Sequence, residues 1–133
     1  MSATLPDDYK PAHLGRRSAE AIEEVDLIPW EGEEITVSLF CEEFTSLCPV
    51  TGQPDFGSIE ISYVPSNALI ESKSLKLYLL KFRNRGVFSE SLVEQIASEL
   101  WRQVEPRWMR VAGSFNSRGG IGIEVEAIRG ERA

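Results

Sequence analysis

Histidine is nearly absent from this chain and cysteine is scarce. One histidine, His13, and two cysteines, Cys41 and Cys48, occur in 133 residues. A zinc site takes three or four ligands at recognisable spacings, and these three residues match none, so no metal centre is expected. Two cysteines are too few for a disulfide scaffold, and reduced thiols suit the cytoplasm. Long apolar runs are missing too. None reaches transmembrane length, and no charged-then-apolar signal pattern opens the chain. Positive charge is the minority sign: 14 Lys and Arg against 21 Asp and Glu, a net charge of −7. That balance disfavours direct binding to nucleic acid or to an anionic membrane surface.

What is present reads as one soluble domain, with 42% hydrophobic and 26% charged residues, enough to bury a core. Residues 1–30 form an acidic leader in which Glu20, Glu23, Glu24 and Asp26 read as a solvated arm. Residues 31–133 carry the domain. Ile35, Val37, Leu39 and Cys41 alternate along 34–41, and Ile59, Ile61 and Tyr63 along 58–64, as half-buried strands do. Pro65-Ser66-Asn67 reads as a helix start, followed by Leu69, Leu75, Leu79 and Phe82 at roughly helical spacing. Ser89 reads as the N-cap of a second helix with the stripe Leu92, Val93, Ile96, Leu100 and Val104, stopped by Pro106. Met109, Val111, Gly113 and Phe115 alternate next. After the turn Arg118-Gly119-Gly120, Ile121, Ile123, Val125 and Ala127 form a last strand. The expected fold is α+β in the order ββααββ: a four-stranded antiparallel sheet with both helices on one face. Its exposed edges suit pairing with further copies in a closed ring.

Two stretches do not read as scaffold alone. In Cys48-Pro49-Val50-Thr51-Gly52-Gln53-Pro54-Asp55, each proline restricts the residue before it, so the loop is stiff on either side of Gly52. Cys48 is either a small buried hydrophobe or a thiolate nucleophile with Asp55 beside it to move a proton. Asp55 is also an ordinary turn former. In Glu71-Ser72-Lys73-Ser74-Leu75-Lys76, the two lysines are neighbours three residues apart. They are either solvated charges or a dibasic clamp for phosphate, aided by the free N–H groups of the helix start.

Together these stretches carry a resemblance. The run Cys48–Phe56 resembles the active-site loop of the NADPH-dependent 7-cyano-7-deazaguanine reductases, nitrile reductases of queuosine biosynthesis. Glu71-Ser72-Lys73-Ser74-Leu75-Lys76-Leu77-Tyr78 is similar to that family's signature. Phe82-Arg83-Asn84 and Phe88-Ser89-Glu90 resemble its next block, and Arg118-Gly119-Gly120-Ile121 its last hairpin. Four motifs in order, over about residues 34–128, are far more specific than any one of them.

The resemblance implies the tunnelling fold of the GTP cyclohydrolase I superfamily. It implies a homo-oligomeric ring, with stacked pentamers as one form, and active sites between subunits. It makes Cys48 the nucleophile that forms a covalent thioimide with the nitrile, and Asp55 the proton-transfer residue. Glu90 would read the guanine-like edge, with Phe88 and Ser89 beside it in the substrate site. Glu71, Ser72, Lys73, Lys76 and Arg118 would bind NADPH, the co-substrate that takes the nitrile to a primary amine in two hydride transfers. The residue types suit the tasks: a thiolate for a modest electrophile, a carboxylate for a paired N–H edge, cations for phosphate. No glycine-rich dinucleotide fingerprint occurs, so the cofactor is held by other means. The family usually has histidine where this chain has Ser89, which can donate a hydrogen bond but offers no imidazolium. Two rivals stand beside this reading: a relative that uses the same cysteine to add ammonia to the nitrile on modified tRNA, without NADPH, against which the intact Lys73–Lys76 signature and the acidic charge argue, and a purine- or pterin-binding module without catalysis.

Overall fold

The alternating stretches become strands. The computed structural model describes Leu5, Tyr9 and residues 20–132, apart from the side chain of Arg118. His13 and most of the acidic leader lie outside the described residues. In chain order the elements are β1 (Leu27–Pro29), β2 (Val37–Leu47), β3 (Pro54–Val64), β4 (Ala68–Ile70), α1 (Ser72–Leu80), α2 (Ser89–Val104), β5 (Trp108–Arg118) and β6 (Ile121–Gly130). β2, β3, β5 and β6 form an antiparallel sheet in the order β2-β3-β5-β6. This is the expected ββααββ sheet, of mixed α+β class.

The period-2 pattern assigns the two faces. Ile59, Ile61 and Tyr63 of β3 and Met109, Val111 and Phe115 of β5 are buried on the inner face. α2 meets them with Leu92, Val93, Ile96, Leu100 and Val104, all with no accessible surface. α1 adds Leu75, Tyr78 and Leu79 to the same core. Each large aliphatic side chain buried this way contributes about 1.5–3 kcal/mol, so this stripe rather than intrinsic propensity holds α2. The outer face is polar: Arg110 bridges Glu60, at 2.9 Å, and Glu126. β2 and β6 are the sheet edges and leave Phe40, Ile121 and Ile128 exposed.

Four expectations need correction. Leu69 is not on a helix. Residues 68–70 form β4, which pairs with β1 in a separate two-stranded sheet, Leu27 opposite Ile70. The helix therefore starts at Ser72 instead of just after Asn67. The leader is not all solvated arm, because Val25, Asp26 and Leu27 are buried. Asp26 is held by its backbone, donating to Ser74 Oγ at 2.8 Å and accepting from the Glu71 N–H at 3.0 Å. A cluster under the helices also reaches Glu23: buried Lys81 bonds Glu99 at 2.6 Å and Glu23 at 3.1 Å. Finally, Ser89 is not the N-cap of α2. Phe88 holds that position, with no side-chain cap bond, and Ser89 is the first helical residue.

Candidate active site

The β2–β3 hairpin builds the loop. Leu47 pairs with Pro54, which leaves residues 48–53 as the connection. The Cys48 N–H donates to Gln53 O at 2.8 Å and the Gly52 N–H to Cys48 O at 2.9 Å, closing the loop on its own backbone. Gly52 sits at φ 71°, in the left-handed region that glycine enters without steric cost. Asp55 is not in the loop, as its sequence neighbours suggested. It is the second residue of β3, in register with Ser46. A strand holds its carboxyl more firmly than a loop would.

Cys48 is half-buried, and its thiol titrates below the ordinary range. The Thr51 hydroxyl is the main cause, followed by backbone N–H groups of Thr51 and Val50; all three stabilise the thiolate. Slight burial and the Asp55 carboxylate oppose them without prevailing. Thr51 was legible in the loop sequence, yet nothing in the sequence assigned its hydroxyl to the sulfur.

A second segment is fastened to this loop. The Leu47 N–H donates to Arg85 O at 3.1 Å and the Val87 N–H to Leu47 O at 3.2 Å, a parallel bridge centred on Gly86. The approach is close: a Cβ on Gly86 would lie 3.3 Å from Pro49 Cα. The bridge delivers the start of α2 beside the hairpin. Phe88 is 60% exposed there, Ser89 half-buried, and Glu90 exposed in the first helical turn, where the helix end favours a carboxylate. Leu47 thus ties the hairpin that carries Cys48 and Asp55 to the backbone leading into Phe88, Ser89 and Glu90.

The expected phosphate site divides differently. Both oxygens of Glu71 accept from the start of α1, from the Lys73 and Ser74 N–H groups at 2.7 Å each. The N–H groups expected to favour a phosphate therefore already hold the protein's own carboxylate, and Glu71 caps the helix. Ser72 and Lys76 line a cleft of about 570 Å³ between α1 and β2, with Leu75, Leu79 and Leu39 among its apolar walls. Lys73 does not line it. A second cleft of about 880 Å³ follows β2 to Leu47 and Pro54, with Asn116 of β5 on its wall. Arg83 lines both clefts. The sequence offered Arg83 inside a motif but no role for it. Arg118 ends β5 two residues past Asn116, before the Gly119–Gly120 turn. Neither cleft is lined by Cys48 or Glu90. No group of three potential metal ligands occurs among the described residues, and no helix among them is long and apolar enough to cross a membrane.

The chain is similar to proteins of known name. A family model described as QueF-like protein matches residues 54–133. An NADPH-dependent 7-cyano-7-deazaguanine reductase of Anaeromyxobacter sp. (strain K) is 47% identical over 104 residues, 78% of this chain and 85% of that protein. One of Syntrophus aciditrophicus (strain SB) is 40% identical over 129 residues, 96% and 92% of the two chains. One of Helicobacter pylori (strain P12) is 54% identical over 88 residues, 66% of this chain and 60% of that protein. Among solved structures, an archaeosine synthase QueF-Like in the apo form superposes with a TM-score of 0.66, covering 78% of this chain and all of that one. Its identity is 19%, so that likeness speaks for the fold alone. With the family model and relatives of this identity spanning most of its length, the chain belongs to the family of NADPH-dependent 7-cyano-7-deazaguanine reductases.

Proposed function

We propose that the chain reduces the nitrile 7-cyano-7-deazaguanine to 7-aminomethyl-7-deazaguanine, a step toward the queuosine base of tRNA. The observation that carries this reading is the depressed thiol of Cys48 on a closed loop tied to the start of α2. The Cys48 thiolate adds to the nitrile carbon, and the nitrogen takes a proton from Asp55, giving a thioimide. NADPH supplies two hydrides in succession. After the first, the C–S bond breaks and Cys48 leaves as thiolate, which the Thr51 hydroxyl and nearby N–H groups stabilise. Proton delivery to nitrogen at each stage balances the sum: one nitrile, two NADPH and two protons give one amine and two NADP⁺. Glu90 reads the N–H edge of the base, and Phe88 and Ser89 close over its ring.

Ser72, Lys73, Lys76 and Arg118 hold the cofactor, with Glu71 fixing the helix that presents the lysines. Of these, Ser72 and Lys76 line the cleft beside β2, whose walls are cationic, acidic (Glu42 and Glu43) and apolar and whose volume is about 570 Å³, within the roughly 300–1,000 Å³ usual for small-molecule sites. The site is completed by neighbouring subunits. The exposed apolar side chains on the β2 and β6 edges support a homo-oligomeric ring, and the two free thiols support a cytoplasmic setting.

Following NADPH absorbance with a limiting amount of the nitrile tests the reaction. Two NADPH consumed per nitrile is the expected result, because C≡N to amine is a four-electron reduction. No oxidation, or conversion of the nitrile without NADPH, would overturn it.

A further inference from the structure

Two parts of the molecule must hold one small, rigid ligand. On the reductase reading, Glu90 holds the N–H edge of the base and Cys48 attacks the nitrile carbon on the other ring. A fused aromatic bicycle with a linear nitrile has no internal rotation that could bring its two ends closer. The spacing between the Cys48 loop and the start of α2 is therefore set by the protein alone. An error in it passes undiminished to the distance between sulfur and carbon.

The backbone fixes that spacing at one place. The Leu47 N–H donates to Arg85 O at 3.1 Å and the Val87 N–H to Leu47 O at 3.2 Å. Both bonds are at the long end of the usual range, so little stretch is left in them. Gly86, between the two, lies against the next residues of the hairpin. A Cβ there would come 3.3 Å from Pro49 Cα, 3.8 Å from Pro49 Cβ and 3.9 Å from Cys48 O, and its neighbour would have to give by a few tenths of an ångström. The φ of Gly86 lies outside the left-handed region, so the close approach, and not the dihedral, calls for glycine. Neither side yields freely. The loop is closed by the Cys48–Gln53 and Gly52–Cys48 bonds and stiffened by Pro49. The facing segment hangs between buried anchors: Phe82, which accepts from the Arg85 N–H and packs against Phe44, and Leu92 and Val93 of α2.

We infer that the Leu47–Gly86 bridge sets the distance between the attacking sulfur and the bound nitrile, and that Gly86 is a positioning residue for the addition step. The groups that stabilise the Cys48 thiolate, on Thr51 and Val50, all lie within the loop itself. The bridge therefore governs where the sulfur stands and not how reactive it is. The inference rests on the reductase reading and adds to it the device that aligns its two ends.

The addition step is read alone by mixing the full chain with 7-cyano-7-deazaguanine, without NADPH, and following the intact mass with time at several nitrile concentrations. Addition joins sulfur to carbon, places a proton on nitrogen and expels nothing, so the product weighs the sum of both reactants. Wild type, Gly86→Ala and Leu47→Pro are compared. The first variant puts a methyl group into the gap. The second removes an N–H that points at Arg85, on an edge strand, where proline is tolerated. In both, the maximal rate of adduct formation is expected to fall by about ten- to a hundredfold, because a misplacement of about 1 Å can cost roughly 10²-fold. The concentration giving half that rate should stay within about threefold, since the loss falls on the transition state. Alkylation of Cys48 by iodoacetamide, which needs no base pocket, should stay within about twofold. The variants disturb the bridge from opposite sides, so either one that melts as the wild type does decides the matter. If such a variant reaches the wild-type maximal rate, the inference falls and the reductase reading stands. It also falls if nitrile and iodoacetamide slow together, or if only the half-saturating concentration rises. If the wild type gains no mass, the reductase reading itself falls.

Discussion

Cys41 and Cys48 lie seven positions apart on one hairpin, and both are partly exposed. Their thiols nevertheless move in opposite directions. Cys41 sits opposite Ile59 on β2 and packs against the core. Burial pushes its thiol up; a backbone hydrogen bond at Glu43 pulls it down, but the Glu43 carboxylate adds to the rise. Cys48 meets the Thr51 hydroxyl and two backbone N–H groups, which pull its thiol down against the Asp55 charge. Burial against the core is the larger part of the difference at Cys41, and it is only a minor opposing effect at Cys48. The supply of donors is the other part: a strand spends most of its N–H groups on its neighbour strand, whereas a tight loop can turn several toward one side chain.

The largest break in this contrast comes from Cys48→Ala. NADPH oxidation with the nitrile should disappear, while Cys41→Ala keeps it; a fully active Cys48→Ala would end the nucleophile assignment. Next comes Asp55→Asn. Proton transfer by a placed side chain contributes about 10²–10⁴-fold, so turnover should drop within that range. Alkylation of Cys48 by iodoacetamide should be at least as fast as in the wild type, because the Asp55 charge opposes the thiolate. Loss of both together would make Asp55 structural.

A smaller effect sharpens the contrast. Thr51→Val removes the main donor to the Cys48 sulfur. The sign follows from the shift: a thiol held below its usual range is more ionised at neutral pH, so losing the donor lowers the thiolate fraction. Alkylation at pH 7 should slow by about two- to tenfold, the worth of one hydrogen bond, and the difference should vanish well above the thiol range. The smallest effect belongs to Cys41→Val. This nearly volume-conserving change on the core face should shift stability by less than about 1.5 kcal/mol in urea unfolding, with turnover unchanged.

The main sheet and α2 were legible because their elements are long enough to show a period. β3, β5 and β6 declare themselves by alternation, and α2 by a stripe that is buried throughout. The β1–β4 ribbon was not legible. Three-residue strands carry no period, and Leu69 happens to fall at helical spacing from Leu75. The buried Asp26 looked like surface charge because its neighbours Glu23 and Glu24 are exposed; its backbone partners, Ser74 and Glu71, are remote in sequence. At the site, the motifs named Cys48 and the residues around it. They could not reveal that Leu47 bridges to residues 85–87, or that Glu71 consumes the helix start, since both depend on long-range pairing or side-chain direction.

The central claim is that Cys48, and not Cys41, attacks the nitrile. Incubating the wild-type chain with 7-cyano-7-deazaguanine in the absence of NADPH, then weighing the intact protein and its peptides, tests it directly. Addition to C≡N expels no leaving group, so the account predicts a gain equal to the whole mass of the nitrile, on the peptide bearing Cys48 and reversed when NADPH is supplied. A chain that gains no mass, or gains it at Cys41, would contradict the account.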